Sequence, residues 1–132
     1  QLTYLFQKML NFVVHNFNEI SITDNEIILK TISFVRENYS KPEVSLAEAA
    51  DLCNVSQEYL SRLFQQETGT KFISFLQNFR VSMAKRMLLS DRQSKVYEIA
   101  EAVGYRDQKY FVSVFKKLCG MTPSEFRKEK EI

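Results

Sequence analysis

IAEAVGYRDQKYFVSVFKKLCGMTPSEFR, residues 99 to 127, is the stretch that decides the fold. Ile99, Ala100 and Val103 begin a short helical stripe that stops at Gly104, and after a brief polar turn Asp107 offers an N-cap for a second helix. In that helix Phe111, Val114, Phe115 and Leu118 fall at i, i+3, i+4 and i+7, which commits one face to a core. Gln108, Lys109, Val112, Ser113 and Lys116 are left on the opposite face. Gly120 ends the helix, and Thr122-Pro123-Ser124-Glu125 opens a further one with an N-cap, a proline at the first helical position and a capping-box glutamate. Two short helices around a tight glycine turn are helix-turn-helix punctuation, whose common use is to lay the second helix in a DNA major groove.

The same unit occurs earlier in the chain. Ser45-Leu46-Ala47-Glu48 is a capping box, and the helix it opens carries Leu46, Ala49, Ala50 and Cys53 before breaking at Asn54-Val55. A new helix is expected from Ser56 or Gln57 to Thr68. Its inner face is Leu60, Leu63 and Phe64, its outer face Gln57, Glu58, Ser61, Arg62 and Gln65, and Gly69 closes it as a left-handed C-cap. A shift of 50 places Ala50 on Ala100, Cys53 on Val103 and Asn54 on Gly104; one extra residue in the later turn then makes the offset 51. At that offset Tyr59 meets Tyr110, Phe64 meets Phe115, Gly69 meets Gly120 and Phe75 meets Phe126. Core, turn and cap align together, which chance seldom achieves, so the chain contains a duplication.

Between the copies, residues 72 to 89 read as one long helix with Phe72, Phe75, Leu76, Phe79, Met83, Met87 and Leu88 turned mostly inward. Such a helix is a stiff spacer that sets the separation and angle of the two outer faces. Ser90 to Ser94 is a polar break, Val96 starts the second unit, and Lys128 to Ile132 is a fraying charged tail. Upstream, a helix is expected from near Asn25 to about Asn38, ending before Pro42. Asn18 to Asp24 reads as a linker. Residues 2 to 17 carry a helical stripe of Leu2, Leu5, Phe6, Met9, Val13 and Phe17, too apolar for a lone exposed helix. It should pack on its own domain, on a domain upstream, or on its copy in a homodimer. The fold class is therefore all-α: an N-terminal linker helix over 1 to 24, then two helix-turn-helix subdomains over 25 to 132 joined by a long helix. The first unit spans about 45 to 69 and the second about 96 to 127.

Composition sets the outer limits. The chain of 132 residues is 45% hydrophobic and 13% aromatic, with three glycines and two prolines, which suits a packed, nearly all-helical globule with short connections. The net charge of +2 does not by itself announce a nucleic-acid binder. Residues 1 to 40 carry −1 and the remainder +3, a weak asymmetry, and specific DNA binding depends more on where basic side chains point than on their sum. Cys53 and Cys119 lack CxxC spacing, and with a single histidine, His15, they make no zinc site; they read as buried thiols in a reducing cytoplasm. No stretch has the length of a membrane span and no secretory pattern occurs. No phosphate-cradling glycine loop, Ser/His/Asp constellation or metal cluster is visible, so neither an enzyme nor a cofactor is expected. The chain begins at Gln1 and not at methionine, and is read as a piece of a longer protein with a sensory or receiver domain upstream.

Over roughly Ile27 to Lys128 the sequence resembles the DNA-binding domain of AraC/XylS-type transcription regulators. The resemblance is carried by SLAEAADLCNVSQEYLSRLFQQETG, by FLQNFRVSMAKRMLL, and above all by GYRDQKYFVSVFKK and GMTPSEFR. It implies two helix-turn-helix subdomains placed in successive major grooves on one side of the duplex, a cytoplasmic role at bacterial promoters, and activation through contact with RNA polymerase. It places base readout at Gln57, Glu58, Ser61 and Arg62 in the first unit and at Gln108, Lys109, Val112 and Ser113 in the second. Phosphate contact is expected at Ser56, Lys71, Arg106, Lys116 and Lys117.

Two positions depart from the family pattern. Ser113 stands where an arginine is common, which removes a bidentate guanine contact, and Glu58 puts an acid on the DNA face, able to accept from cytosine N4 but repelled by phosphate. The first helix, with Arg62, should then carry more of the specificity, and the second should rely on Gln108, Lys109 and contact from Val112 to a thymine methyl. Arg80, Lys85 and Arg86 read as structural or solvent-facing, and the tyrosines and phenylalanines as core. A helical protein-binding module that has lost DNA binding is the alternative from another class; it implies little salt dependence and a partner for the Leu2 to Phe17 stripe.

Overall fold

A computed structural model describes residues 22 to 130, with side chains from residue 26 onward. The Leu2 to Phe17 stripe, and with it the expected linker helix and its dimer contact, lies outside the described residues. The described chain is all helix and turn: α1 Ile22–Asn38, α2 Leu46–Cys53, α3 Gln57–Thr68, α4 Phe72–Ser90, α5 Val96–Ala102, α6 Gln108–Cys119 and α7 Pro123–Glu129. The α2–α3 and α5–α6 pairs are the two helix-turn-helix units, and α4 is the joining helix.

Local chemistry places each boundary. Ser45 Oγ accepts from the Glu48 N–H at 3.2 Å and Asp107 Oδ1 from Lys109 at 2.9 Å, the expected N-caps, and Ser56 Oγ accepts from Tyr59 at 3.0 Å, so Ser56 is the cap and the helix starts at Gln57. Before α7 the capping box is complete: Glu125 N–H donates to Thr122 Oγ1 at 3.1 Å and Thr122 N–H to Glu125 Oε1 at 2.9 Å. The Thr122 N–H, and after it the Thr122 hydroxyl, hold the Glu125 carboxyl below its ordinary pKa, with Lys116 adding a smaller pull in the same direction. The turn slot shared by the two units is left-handed in both, with φ of 58° at Asn54 and 103° at Gly104. Asparagine tolerates that region and glycine enters it freely, which explains why this slot holds either residue.

Two details differ from the sequence reading. Helix α1 begins at Ile22, three residues before Asn25, so the end of the expected linker is helical. Polarity alone does not stop a helix, and no glycine or proline lies between Asn18 and Asp24. The two thiols are only half-buried, Cys53 packing beside Thr31 with its Sγ 3.8 Å from the Ile27 carbonyl oxygen.

The core divides along α4. Its first half gives Phe72, Phe75, Leu76 and Phe79 to a cluster with Ile28, Ile32 and Val35 of α1, Ala49 and Ala50 of α2, and Leu60, Leu63 and Phe64 of α3. Its second half gives Val81, Ala84 and Leu88 to a cluster with Ile99, Ala100, Val103, Phe111, Val114, Phe115 and Phe126. Phe79, Arg80, Val81 and Ser82 are consecutive and all at most 6% exposed, so protein surrounds α4 on every side at its middle. A one-sided apolar stripe understates that burial, which is why Val81 and Ala84 were missing from the expected inner face. Two tyrosines also escape the core assignment: Tyr97 and Tyr110 are 51% and 50% exposed, each with an apolar ring beside a polar tip that solvent can take.

Phe115 is fully buried, with ring centroids 5.9 Å from Phe111 and 5.8 Å from Phe126. Phe115→Ala is expected to cost about 3–5 kcal/mol through lost burial and a cavity. A urea titration should show the midpoint fall with an unchanged slope; a loss near zero would mean that the second cluster does not hold the unit together.

Candidate nucleic-acid interface

Each helix-turn-helix unit buries one side of its second helix and leaves the other open. In α3, Leu60, Leu63 and Phe64 are sealed against α2 and α4, while Gln57, Glu58, Ser61, Arg62 and Gln65 are exposed and line one shallow groove with Leu46. Arg62 lies 5.8 Å from the centroid of the Tyr59 ring one turn back, a cation–π contact that steadies the guanidinium. Among the described residues its N–H groups have no hydrogen-bond acceptor, so the planar fork remains available. Ser56 uses one lone pair as N-cap and keeps its hydroxyl proton free to donate. Lys71 is exposed just before α4 and lines a groove with Ser61 and Gln65, so it borders the α3 face.

The α6 face is built the same way. Phe111, Val114 and Phe115 are buried; Gln108, Lys109, Ser113, Lys116 and Lys117 are exposed. Asp107, Gln108, Lys109 and Val112 line one groove. Val112 is half-buried against the second cluster, so only part of its side chain is open to a ligand. Lys116 and Lys117 stand in the last turn, where the helix dipole also favours cations. Arg106 precedes this helix, 4.0 Å from Glu43 Oε1 with both side chains largely exposed, a pair worth little in water.

Two arginines organise the frame: Arg127, which sequence reading missed, and Arg80, for which the structural alternative holds. Arg127 donates to three carbonyls: Leu88 at 3.0 Å, Asp91 at 3.0 Å and Ser94 at 2.8 Å. Helix α4 ends without a glycine cap, and its open carbonyls need donors. That need was the available signal. Arg80 is buried at the middle of α4 and donates to backbone carbonyls of the α1–α2 turn. Tyr110, expected in the core, instead stands half-exposed beside the α6 face, where its hydroxyl accepts from Gln77 Nε2 at 3.2 Å.

A family model described as a helix-turn-helix domain matches residues 49–129, from within the first helix of the first unit through the joining helix and the second unit. This chain is an AraC-type helix-turn-helix DNA-binding domain. It is similar to YesN of Bacillus subtilis, a transcriptional regulatory protein, at 41% identity over 106 residues, covering 79% of this chain and 29% of YesN. The arabinose operon regulatory protein of Escherichia coli is 34% identical over 104 residues, covering 79% of this chain and 35% of that protein. Among solved structures, the C-terminal domain of AraT, a response regulator from Geobacillus stearothermophilus, matches with TM-score 0.78 and 37% identity, covering 80% and 87% of the two chains. The chain thus spans well under half the length of the curated relatives it matches here. Within the AraC-type domain, no helix among the described residues is long and apolar enough to cross a membrane.

Lys116 is exposed in the last turn of α6, and a cation at the end of a helix laid on a duplex would meet phosphate and not base edges. Lys116→Ala is expected to weaken all duplexes about equally and to lower the slope of log K against log salt by about 1. Titrations at several salt concentrations check this, and a loss confined to one base pair would contradict it.

Proposed function

We propose that this chain is the sequence-specific DNA reader of a bacterial transcription regulator, placing α3 and α6 in successive major grooves. The observation that carries the reading is the repeated one-sidedness of α3 and α6: each is anchored by two phenylalanine or leucine side chains at or near zero exposure while its opposite face is an open row of amides, hydroxyls and cations. Side chains of that kind, held on a rigid helix, suit base edges. Arg62 is the principal reader, with Gln57, Glu58 and Ser61 beside it; Gln108, Lys109, Val112 and Ser113 form the second row. Ser56, Lys71, Arg106, Lys116 and Lys117 hold phosphates.

The two rows are not copies. At the offset of 51, Gln57 meets Gln108, but Glu58 meets Lys109, Ser61 meets Val112 and Arg62 meets Ser113. One chain therefore reads two different blocks, and its site is asymmetric. The similarity to response regulators such as AraT favours a receiver domain upstream, which would act on this reader from the N-terminal side of α1. Activation of transcription through RNA polymerase, in the cytoplasm where the chromosome lies, completes the reading.

The test is selection from a pool of random duplexes across a salt series. Two unlike blocks about one helical turn apart, with binding that falls steeply as salt rises, is the expected result. Sequence-blind or salt-insensitive retention would contradict it and favour a protein-binding role. On the selected site, Arg62→Ala should cost about 1–3 kcal/mol and relax preference at one or two base pairs; an unchanged profile across a base-substitution series would remove Arg62 from readout.

A further inference from the structure

A continuous α4 does not by itself fix how the two units stand to one another, because each packs on its own half of the helix. What joins them directly is a narrow seam. Tyr39 and Met83 pack against both core clusters. Arg80, 6% exposed, donates from Nε to the Tyr39 carbonyl at 2.9 Å and from Nη2 to the Lys41 carbonyl at 2.8 Å, while its guanidinium carbon lies 5.1 Å from the centroid of the Tyr105 ring. Tyr39 and Lys41 belong to the turn between α1 and α2, on the side of the first unit. Tyr105 follows the turn glycine of the second. Gly104 closes the gap: a Cβ there would collide with the Tyr39 carbonyl oxygen and lie 2.8 Å from Arg80 Nε. At the solvent end, the Glu43 and Arg106 pair spans the same two units.

A buried guanidinium is costly unless its donors find acceptors; here Nε and Nη2 donate to the backbone of one unit while the guanidinium carbon lies over the aromatic ring of the other. We propose that this seam makes Arg80 a positioning residue for site selection, holding α3 and α6 at one separation and angle so that a single spacing between the two DNA blocks is accepted. The proposal rests on the reading that both helices enter DNA. Adding or removing one base pair moves the second block by about 3.4 Å and turns it by about 34° around the duplex axis. A rigid seam cannot follow that displacement; a loosened one can. Lysine would keep the charge of Arg80 but lacks the planar fork whose separate nitrogens meet the two carbonyls beside the Tyr105 ring.

The experiment measures affinities of the intact chain and of its Arg80→Lys and Gly104→Ala variants for duplexes whose block spacing is native, or longer or shorter by one or two base pairs. The unaltered protein should prefer the native spacing by about tenfold or more. In each variant that ratio should fall at least about threefold, while the order of base preference inside each block stays the same. A role confined to folding would weaken every duplex alike and leave the ratio untouched, which would overturn the proposal. An unaltered protein that selects only one block overturns the two-block DNA reading, and the proposal falls with it. A sharp native spacing that neither variant changes overturns the proposal alone. Independently of the variants, backbone residual dipolar couplings from α3 and α6 in the unaltered protein should fit one alignment tensor, and two independent tensors would overturn the proposal.

Discussion

The complete burial of α4 at Phe79 to Ser82 is the constraint on which the rest depends. A helix of 19 residues is about 28 Å long at 1.5 Å per residue, and each end carries one helix-turn-helix unit. Because protein packs around its middle, the polar atoms there need internal partners. Arg80 finds them in carbonyls of the α1–α2 turn, and that turn can lie so close only because Gly104 has no side chain. Length, burial and the glycine therefore act together. Loss of one member exposes or strands the others, which couples the geometry of the two faces to the stability of the core.

Much of this frame was legible in the sequence, for local reasons. Helix starts at Ser45, Ser56, Asp107 and Thr122 follow from side chains that satisfy the orphan N–H groups of a first turn. The inner faces of α3 and α6 follow from spacing alone. What stayed hidden depends on contacts distant in sequence. Arg80 bonds carbonyls 39 and 41 residues away, and Arg127 carbonyls 33 to 39 residues away, so nothing near either residue signals its partners. Tyr97 and Tyr110 were assigned to the core from helical spacing, but each is about half exposed. The start of α1 was missed because a polar run lacking glycine and proline reads equally as linker or first turn.

The candidate interface was legible at coarser grain. Its side chains could be assigned to outer faces by helical period, and the structure leaves those positions open apart from the half-buried Val112. Which base each would meet is not a property of the chain alone. The physical asymmetry is clear all the same. Duplication preserved core, caps and turn while letting the exposed rows diverge, with Arg62 against Ser113 and Glu58 against Lys109. Packing penalises change inside, whereas outside only the ligand does, so the two faces record two separate demands on one scaffold.

The most direct measurement is hydroxyl-radical footprinting of the chain on a single selected duplex, with stoichiometry followed by sedimentation. The expected result is one protein per duplex protecting two stretches about one helical turn apart on the same side of the DNA. A single protected stretch, or two stretches that need two molecules, would contradict the claim that one rigid chain presents two reading helices.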